Sequence, residues 1–233
     1  MSKPIAFIIG AGKNIGASTA RLFQSKGYRV AQAARSLDIS GSKDDDSLLL
    51  KVDLSKPETV TAAFQHIRKN WGEPSVVIYN AGAAHFTDRN HPMSVSLEDF
   101  ITDMTVNTTS VYLAAKEAVS GFETLPTGTP KAFMFTGNLT NTATFPRLMT
   151  QGAGKSASAH MIESASQAYA DKGFRFYYVD ERTATGGAKI NPPISGPGHA
   201  QFFLGLVDGS IKAPWHATFV ENEGYKAFPG SRA

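Results

Sequence analysis

Apolar residues follow two rhythms along this chain, and the two alternate. Continuous apolar runs of strand length occur at Pro4–Ile9, Tyr28–Ala34, Ser47–Val52, Ser75–Tyr79, Lys131–Thr136, Phe174–Asp180 and His216–Val220. Such runs, with little polar alternation, suit strands buried on both faces of a sheet. Between them lie segments with apolar residues at helical spacing: Ile15–Lys26, Lys56–Asn70, Ser96–Phe122, Gly152–Lys172 and the short His199–Val207. Gly27 is the expected C-cap of the first helix. Ser55 is the expected N-cap of the second, with Pro57 in its first turn. The alternation predicts an α/β fold: one Rossmann-type, doubly wound parallel sheet of about seven strands, flanked by helices, in a single domain over 1–233. Gly186–Gly198 breaks the rhythm with four Gly and three Pro. It predicts a long loop, and a substrate loop or lid around 183–208.

Composition narrows the class. A length of 233 residues suits one core, and 42% hydrophobic against 18% charged residues suits a packed chain rather than a disordered one. Cysteine is absent, which excludes disulfides, thiolate nucleophiles and Cys-ligated zinc. The net charge of +3 is small and scattered, so no nucleic-acid partner is expected. No apolar run approaches the roughly 20 residues that span a bilayer, so no membrane partner is expected. Ile5–Ile9 is too short for a signal-peptide core, and the expected location is cytoplasmic. His160 and His199 have no ligand-spaced partners, so no metal is expected.

The chemistry starts at Gly10-Ala11-Gly12-Lys13-Asn14-Ile15-Gly16, between the first strand and the first helix. Gly10 permits a tight turn, Gly12 lets backbone approach a pyrophosphate, and Gly16 lets helix and sheet pack closely. The helix start offers free N–H groups and a partial positive charge to phosphates. The end of the second strand reads Ala33-Ala34-Arg35-Ser36, without the acid that would hold a ribose 2′-hydroxyl. Arg35 can pair with a 2′-phosphate, and Lys13 adds charge. NADP(H) is therefore expected over NAD(H).

Further motifs carry a family resemblance. The glycine loop, Val52-Asp53-Leu54, Tyr79-Asn80-Ala81-Gly82, Asn107 in Asp103-Met104-Thr105-Val106-Asn107, and Lys155 together resemble the short-chain dehydrogenase/reductases over about residues 4–185. The resemblance implies that Asp53 bonds the adenine and that Asn80, Ala81 and Gly82 shape the loop beside the ribose. It implies that Asn107 kinks a long helix and holds a relay water, that Lys155 clamps the ribose, and that Thr185 contacts the nicotinamide carboxamide. It also implies a homodimer or homotetramer built through the small-residue helix after Gly152.

The catalytic centre departs from that family's pattern. Its Tyr, four residues before the Lys, is Gln151 here, and its Ser falls at Asn138. The tetrad becomes Asn107–Asn138–Gln151–Lys155, with Thr136 and Thr140 as alternative hydroxyls. Glutamine donates hydrogen bonds but no proton. That argues against ordinary ketone reduction and favours an imine, iminium or enone, which need less acid help. Asp180 and Glu181, at a strand end, are candidate acids or partners for a substrate cation; the alternative is an ion pair with Arg182. His85 is a further candidate acid. The expected function is an NADPH-dependent oxidoreductase with a small-molecule substrate. A non-redox enzyme that keeps NADP, or an NADP(H)-sensing protein, are the alternatives.

Overall fold

The computed structural model describes residues 3–37, 45–190 and 193–229. Its centre is β1 (Ile5–Ile9), five buried residues in a row. Alternate residues of β1 face opposite layers: Ile5, Phe7 and Ile9 one core, Ala6 and Ile8 the other. Two buried faces explain why this strand shows no polar alternation.

Around it lie β2 (Arg29–Ala34), β3 (Ser47–Lys51), β4 (Val76–Tyr79), β5 (Lys131–Thr136), β6 (Phe174–Glu181), β7 (His216–Val220) and β8 (Gly224–Tyr225), in the order β3-β2-β1-β4-β5-β6-β7-β8. The first seven are parallel. The short β8 runs antiparallel to β7 and raises the expected seven strands to eight. Helices α1 (Ile15–Ser25) and α6 (Gly196–Asp208) cover one face. Helices α2 (Glu58–Asn70), α4 (Ser110–Thr124) and α5 (Met149–Ala168) cover the other. Ile9 pairs with Ala33 on one side and Tyr79 on the other, so three strand ends align where the strand order reverses. Ligands of open α/β sheets bind in that crevice.

Three local expectations change. Ser55 does not cap α2: its N–H and hydroxyl both donate to Asp53 Oδ1, and the helix starts at Glu58 behind Pro57. The expected helix Ser96–Phe122 divides into α3 (Leu97–Met104), a π-turn over Thr105–Thr109, and α4. The expected lid, 183–208, is loop only as far as Ser195. Ser195 caps α6 through Gly198 N–H at 3.0 Å, and Phe202, Phe203, Leu206 and Val207 bury that helix on the sheet. Asn191 and Pro192 of this loop lie outside the described residues. No helix among the described residues is long and apolar enough to cross a membrane.

Candidate functional site

The glycine loop is held by backbone from both neighbouring strands. Gly10 and Ala11 donate to Ala33 O at 2.8 and 3.0 Å. Asn80 donates from its side chain to Gly10 O at 3.0 Å and from its backbone to Ile9 O at 2.7 Å. Gly10 has φ +85°, and a Cβ there would lie 2.7 Å from Ala81 N. A Cβ on Gly16 would lie 2.5 Å from Ala11 Cα. Over Gly12 the space is open, with nothing within 4 Å of where a Cβ would stand. No side chain caps α1 at this end. Asn14 Nδ2 instead donates to Ile194 O at 2.9 Å and ties the 183–195 loop to the glycine loop.

A cleft of about 420 Å³ opens there. Gly10, Gly12, Lys13, Asn14 and Ile15 form one wall; Asn80, Ala81 and Gly82 a second; Asn138, Gln151 and Lys155 a third. Arg35 is exposed, one residue beyond the end of β2. Asp53 spends Oδ1 on Ser55, and that hydrogen bond lowers its carboxyl pKa despite partial desolvation. Leu54 is buried and accepts the Ser110 hydroxyl through its carbonyl at 2.7 Å. Asn107 lies behind the cleft in the π-turn. Its side chain bonds both ways with Ala83, at 2.8 and 3.1 Å, and its carbonyl accepts the Ser158 hydroxyl.

The Asn138–Gln151 pair is oriented by simple donor logic. Thr140 N–H donates to Asn138 Oδ1 at 3.0 Å, and a backbone N–H can only donate. The Asn138 amide nitrogen therefore faces Gln151 and donates to its Oε1 at 3.0 Å. That leaves the Gln151 NH₂ as the end available to a ligand. Asn138 is fixed by a residue of β6. Tyr178 donates its hydroxyl to Asn138 O at 2.9 Å and accepts Asn138 N–H at 3.1 Å. No local signal marks Tyr178, because its partner lies 40 residues away.

Lys155 is buried one helical turn after Gln151. Its Nζ donates to Thr136 O at 2.8 Å and sits 4.1 Å from the Phe135 ring centroid. Burial pulls its pKa down to about 7, against the opposing charge of Asp180.

Three candidate site residues stand outside the cleft lining. Asp180 is fully buried and paired with Arg182 Nε at 2.5 Å, the ion-pair alternative, and it lines neither cavity beside the glycine loop. Thr185 is exposed in a turn, 3.1 Å from the Thr183 hydroxyl, and does not reach the cleft. The Arg182–Ala188 bridge closes that turn. His85 sits between Asp103 at 2.9 Å and Asp99 at 3.2 Å, also outside the cleft lining.

The open face of Gly12, the uncapped start of α1 and the cation of Lys155 share one cleft. Such a donor set fits a dinucleotide with a pyrophosphate and ribose hydroxyls.

Comparison with known proteins agrees with this arrangement. The family described as enoyl-(acyl carrier protein) reductase matches residues 10–185. The short chain dehydrogenase/reductase dmxR12 of Cryptosporiopsis sp. (strain 8999) is 42% identical over 98% of this chain and 96% of its own. Among solved structures, a metagenomic short-chain oxidoreductase in complex with NADP superposes with TM-score 0.79 at 18% identity, covering 95% of this chain and 99% of its own. A 3-ketoacyl-(acyl-carrier-protein) reductase from Brucella melitensis complexed with NADH gives 0.78 at 19% identity, covering 95% and 98%. These two likenesses carry the fold, and the matches in sequence carry the kinship. By sheet order, glycine loop and sequence, the chain belongs to the short-chain dehydrogenase/reductase family of oxidoreductases.

Proposed function

We propose that this chain is an NADP(H)-dependent reductase that polarises an activated acceptor through the Gln151 amide instead of protonating it. The observation that carries the reading is the Asn138–Gln151 hydrogen bond, which turns the Gln151 NH₂ outward. Gly10, Gly12, Asn14, Ile15 and Gly16 form the phosphate cradle, and Arg35 and Lys13 supply the cations for a 2′-phosphate. Asp53 and Leu54 border the adenine, while Asn80, Ala81, Gly82 and Lys155 hold the ribose side. Asn107 acts from behind, by pinning Ala83.

A bound reduced nicotinamide supplies a hydride in this cleft. As the electrophilic carbon is reduced, its π electrons move onto the acceptor's heteroatom. With an enone they become an enolate, which Gln151 stabilises by hydrogen bonding and which takes its proton from water. With an iminium ion they neutralise the nitrogen, and no proton is needed. Oriented donors of this kind contribute several kcal/mol to an oxyanion transition state. Ile194, tied to Asn14, brings the end of the loop before α6 to the rim of the cleft. Copies of the chain assemble through α4 and α5, where Val111, Tyr112, Val119, Met161 and Ala165 border an apolar groove of about 410 Å³.

The test is a fluorescence titration with NADPH and NADH, followed by imine, enone and ketone substrates. Tight NADPH binding with turnover of imines or enones, but not simple ketones, supports the reading. Product formation without nicotinamide oxidation overturns its redox part.

A further inference from the structure

Helix α5 presents two adjacent rows of side chains. Gln151 and Lys155, one turn apart, line the cleft. Thr150, Gly154 and Ser158, spaced by four, form the neighbouring row, which is buried. Residues four apart share one helix face, and the next row lies roughly 100° round the axis. The buried row is held at each of its three positions from α3 and the π-turn that follows it. The Ser158 hydroxyl donates to Asn107 O at 2.5 Å, the Thr108 hydroxyl donates to Gly154 O at 3.3 Å, and the Thr150 hydroxyl donates to Asp103 Oδ2 at 2.5 Å. These three bonds fix the rotation of α5 about its own axis, and with it the direction of the row that faces the cleft.

The bond at Thr150 is the one beside Gln151. No side chain caps the start of α5, so its first turn takes no support from a cap. Asp103 supplies that support from α3, where its side chain is fully buried. Its Oδ2 also accepts His85 N–H at 2.7 Å, and its Oδ1 lies 2.9 Å from His85 Nδ1. One carboxyl group thus joins three segments: α3, the loop that follows the 80–82 wall of the cleft, and the first turn of α5. Four residues further along the chain, Asn107 holds the same loop at Ala83. A buried group whose hydrogen bonds are all made in this way rigidifies what it joins.

We propose that Asp103 is a positioning residue for Gln151: by holding Thr150, it sets the rotation of the first turn of α5 and so the line along which the Gln151 NH₂ meets the acceptor. This rests on the reading that the Gln151 amide acts on the acceptor. Asp103 is not among the residues that line the cleft and works through Thr150 alone. Its effect is one of alignment, where a displacement of about 1 Å can cost about 10²-fold in rate.

The experiment compares Thr150→Val, which removes the hydroxyl at nearly constant volume, with Thr150→Ser, which keeps it, in the full chain. Without any ligand, the side-chain NH₂ signals of Gln151 are read by ¹⁵N–¹H NMR and assigned by their loss in Gln151→Leu. They are expected to move in Thr150→Val and to stay in place in Thr150→Ser. With the best enone substrate, Thr150→Val is expected to lose at least about tenfold in kcat at unchanged NADPH affinity, and Thr150→Ser to keep most of its activity. In a Gln151→Leu background, Thr150→Val is expected to cost nothing further, because the two residues act as a unit. Asp103→Asn turns an NH₂ toward donors and is expected to lose at least as much as Thr150→Val; the Thr150 pair carries the test if that variant does not fold. Unmoved NH₂ signals in Thr150→Val, full activity of that variant, no rescue by Thr150→Ser, a nucleotide affinity that falls as far as kcat, or an equal loss in the Gln151→Leu background overturns the proposal. A Gln151→Leu enzyme as active as wild type sinks the donor reading, and the NH₂ signals then decide the positioning role on their own.

Discussion

A Cβ on Gly137 would lie 1.9 Å from Cε1 of Tyr178. The Tyr178 ring therefore lies flat against bare backbone, and its hydroxyl reaches past to hold Asn138 from both sides. Gly137→Ala must displace the ring or the strand end. Such overpacking costs about 1–3 kcal/mol, a melting temperature lower by roughly 2–12 °C for a chain of this size. Tyr178→Phe keeps the ring and removes both hydrogen bonds. Its expected cost is about 1–2 kcal/mol, with turnover falling more than stability suggests because Asn138 is released. Calorimetric melting beside kcat separates the two effects.

The orientation of Gln151 makes a second, sharper prediction. Gln151→Glu keeps an acceptor for the Asn138 NH₂ but removes the outward donor. Gln151→Leu removes both. If the donor is what acts on the acceptor, the two variants lose kcat/KM alike, by about 10²–10³-fold, while nucleotide affinity stays near wild type. Steady-state kinetics on the best enone or imine substrate checks this; a fully active Gln151→Glu would discard the donor role.

Lys155 gives nucleotide binding a pH dependence. Burial lowers its pKa to about 7 in the free protein. An anionic nucleotide favours the ammonium, so binding raises that pKa and takes up a proton. Affinity is then highest below pH 7 and falls as pH rises through about 7, by up to tenfold per unit. Titrations at pH 6, 7 and 8 test the slope, and Lys155→Met is expected to flatten it and to weaken binding throughout.

Arg35 is exposed just past the end of β2, beside a glycine loop that already holds the neighbouring Ala33 carbonyl. Arg35→Asp replaces the cation for a 2′-phosphate with an acceptor for a 2′-hydroxyl. NADPH affinity is expected to fall about 10–100-fold, the worth of a charged hydrogen bond, and NADH affinity to rise. Paired titrations with both nucleotides read the switch; an unchanged ratio moves the phosphate contact to Lys13 alone.

Much of this fold is legible in the sequence because its strands are buried on both faces. Lys131–Thr136 and His216–Val220 match their apolar runs residue for residue. The glycine loop is legible because its requirements are local: Gly10 must take positive φ and Gly16 must touch Ala11. What is not legible depends on residues distant in sequence. The break at Asn107 matches the kink the family resemblance implies, but its packing partner is not legible: a Cβ on Gly154 would lie 2.5 Å from Asn107 Cβ, and nothing within 97–124 announces that neighbour. The acid candidates are decided the same way. Asp180 turns to Arg182, whereas Glu181 turns to Ser195 and Lys189. Strand alternation places the two on opposite faces, but which face holds the cavity is set by the 183–195 loop.

His199 supplies the acid limb of stability. It is buried on α6, with ring centroids 5.7 Å from Phe203 and 4.9 Å from Phe219. Its Nδ1 lies 2.9 Å from Ser195 O, an acceptor, so the neutral ring carries its proton there. Burial pulls its pKa down to about 4. Below pH 6.5 the unfolded chain therefore gains a proton that the folded chain refuses. Stability falls between about pH 6.5 and pH 4, by on the order of 3 kcal/mol from this group. His199→Phe keeps an aromatic ring between Phe203 and Phe219. Ser195 O is not orphaned, because it still accepts the residue 199 N–H at 3.1 Å. The variant is expected to lose about 1 kcal/mol at pH 7 and to exceed wild type below pH 5. Melting curves across pH 4–7.5 would then cross, and parallel curves would mean that His199 takes its proton in the folded state as readily as in the unfolded one.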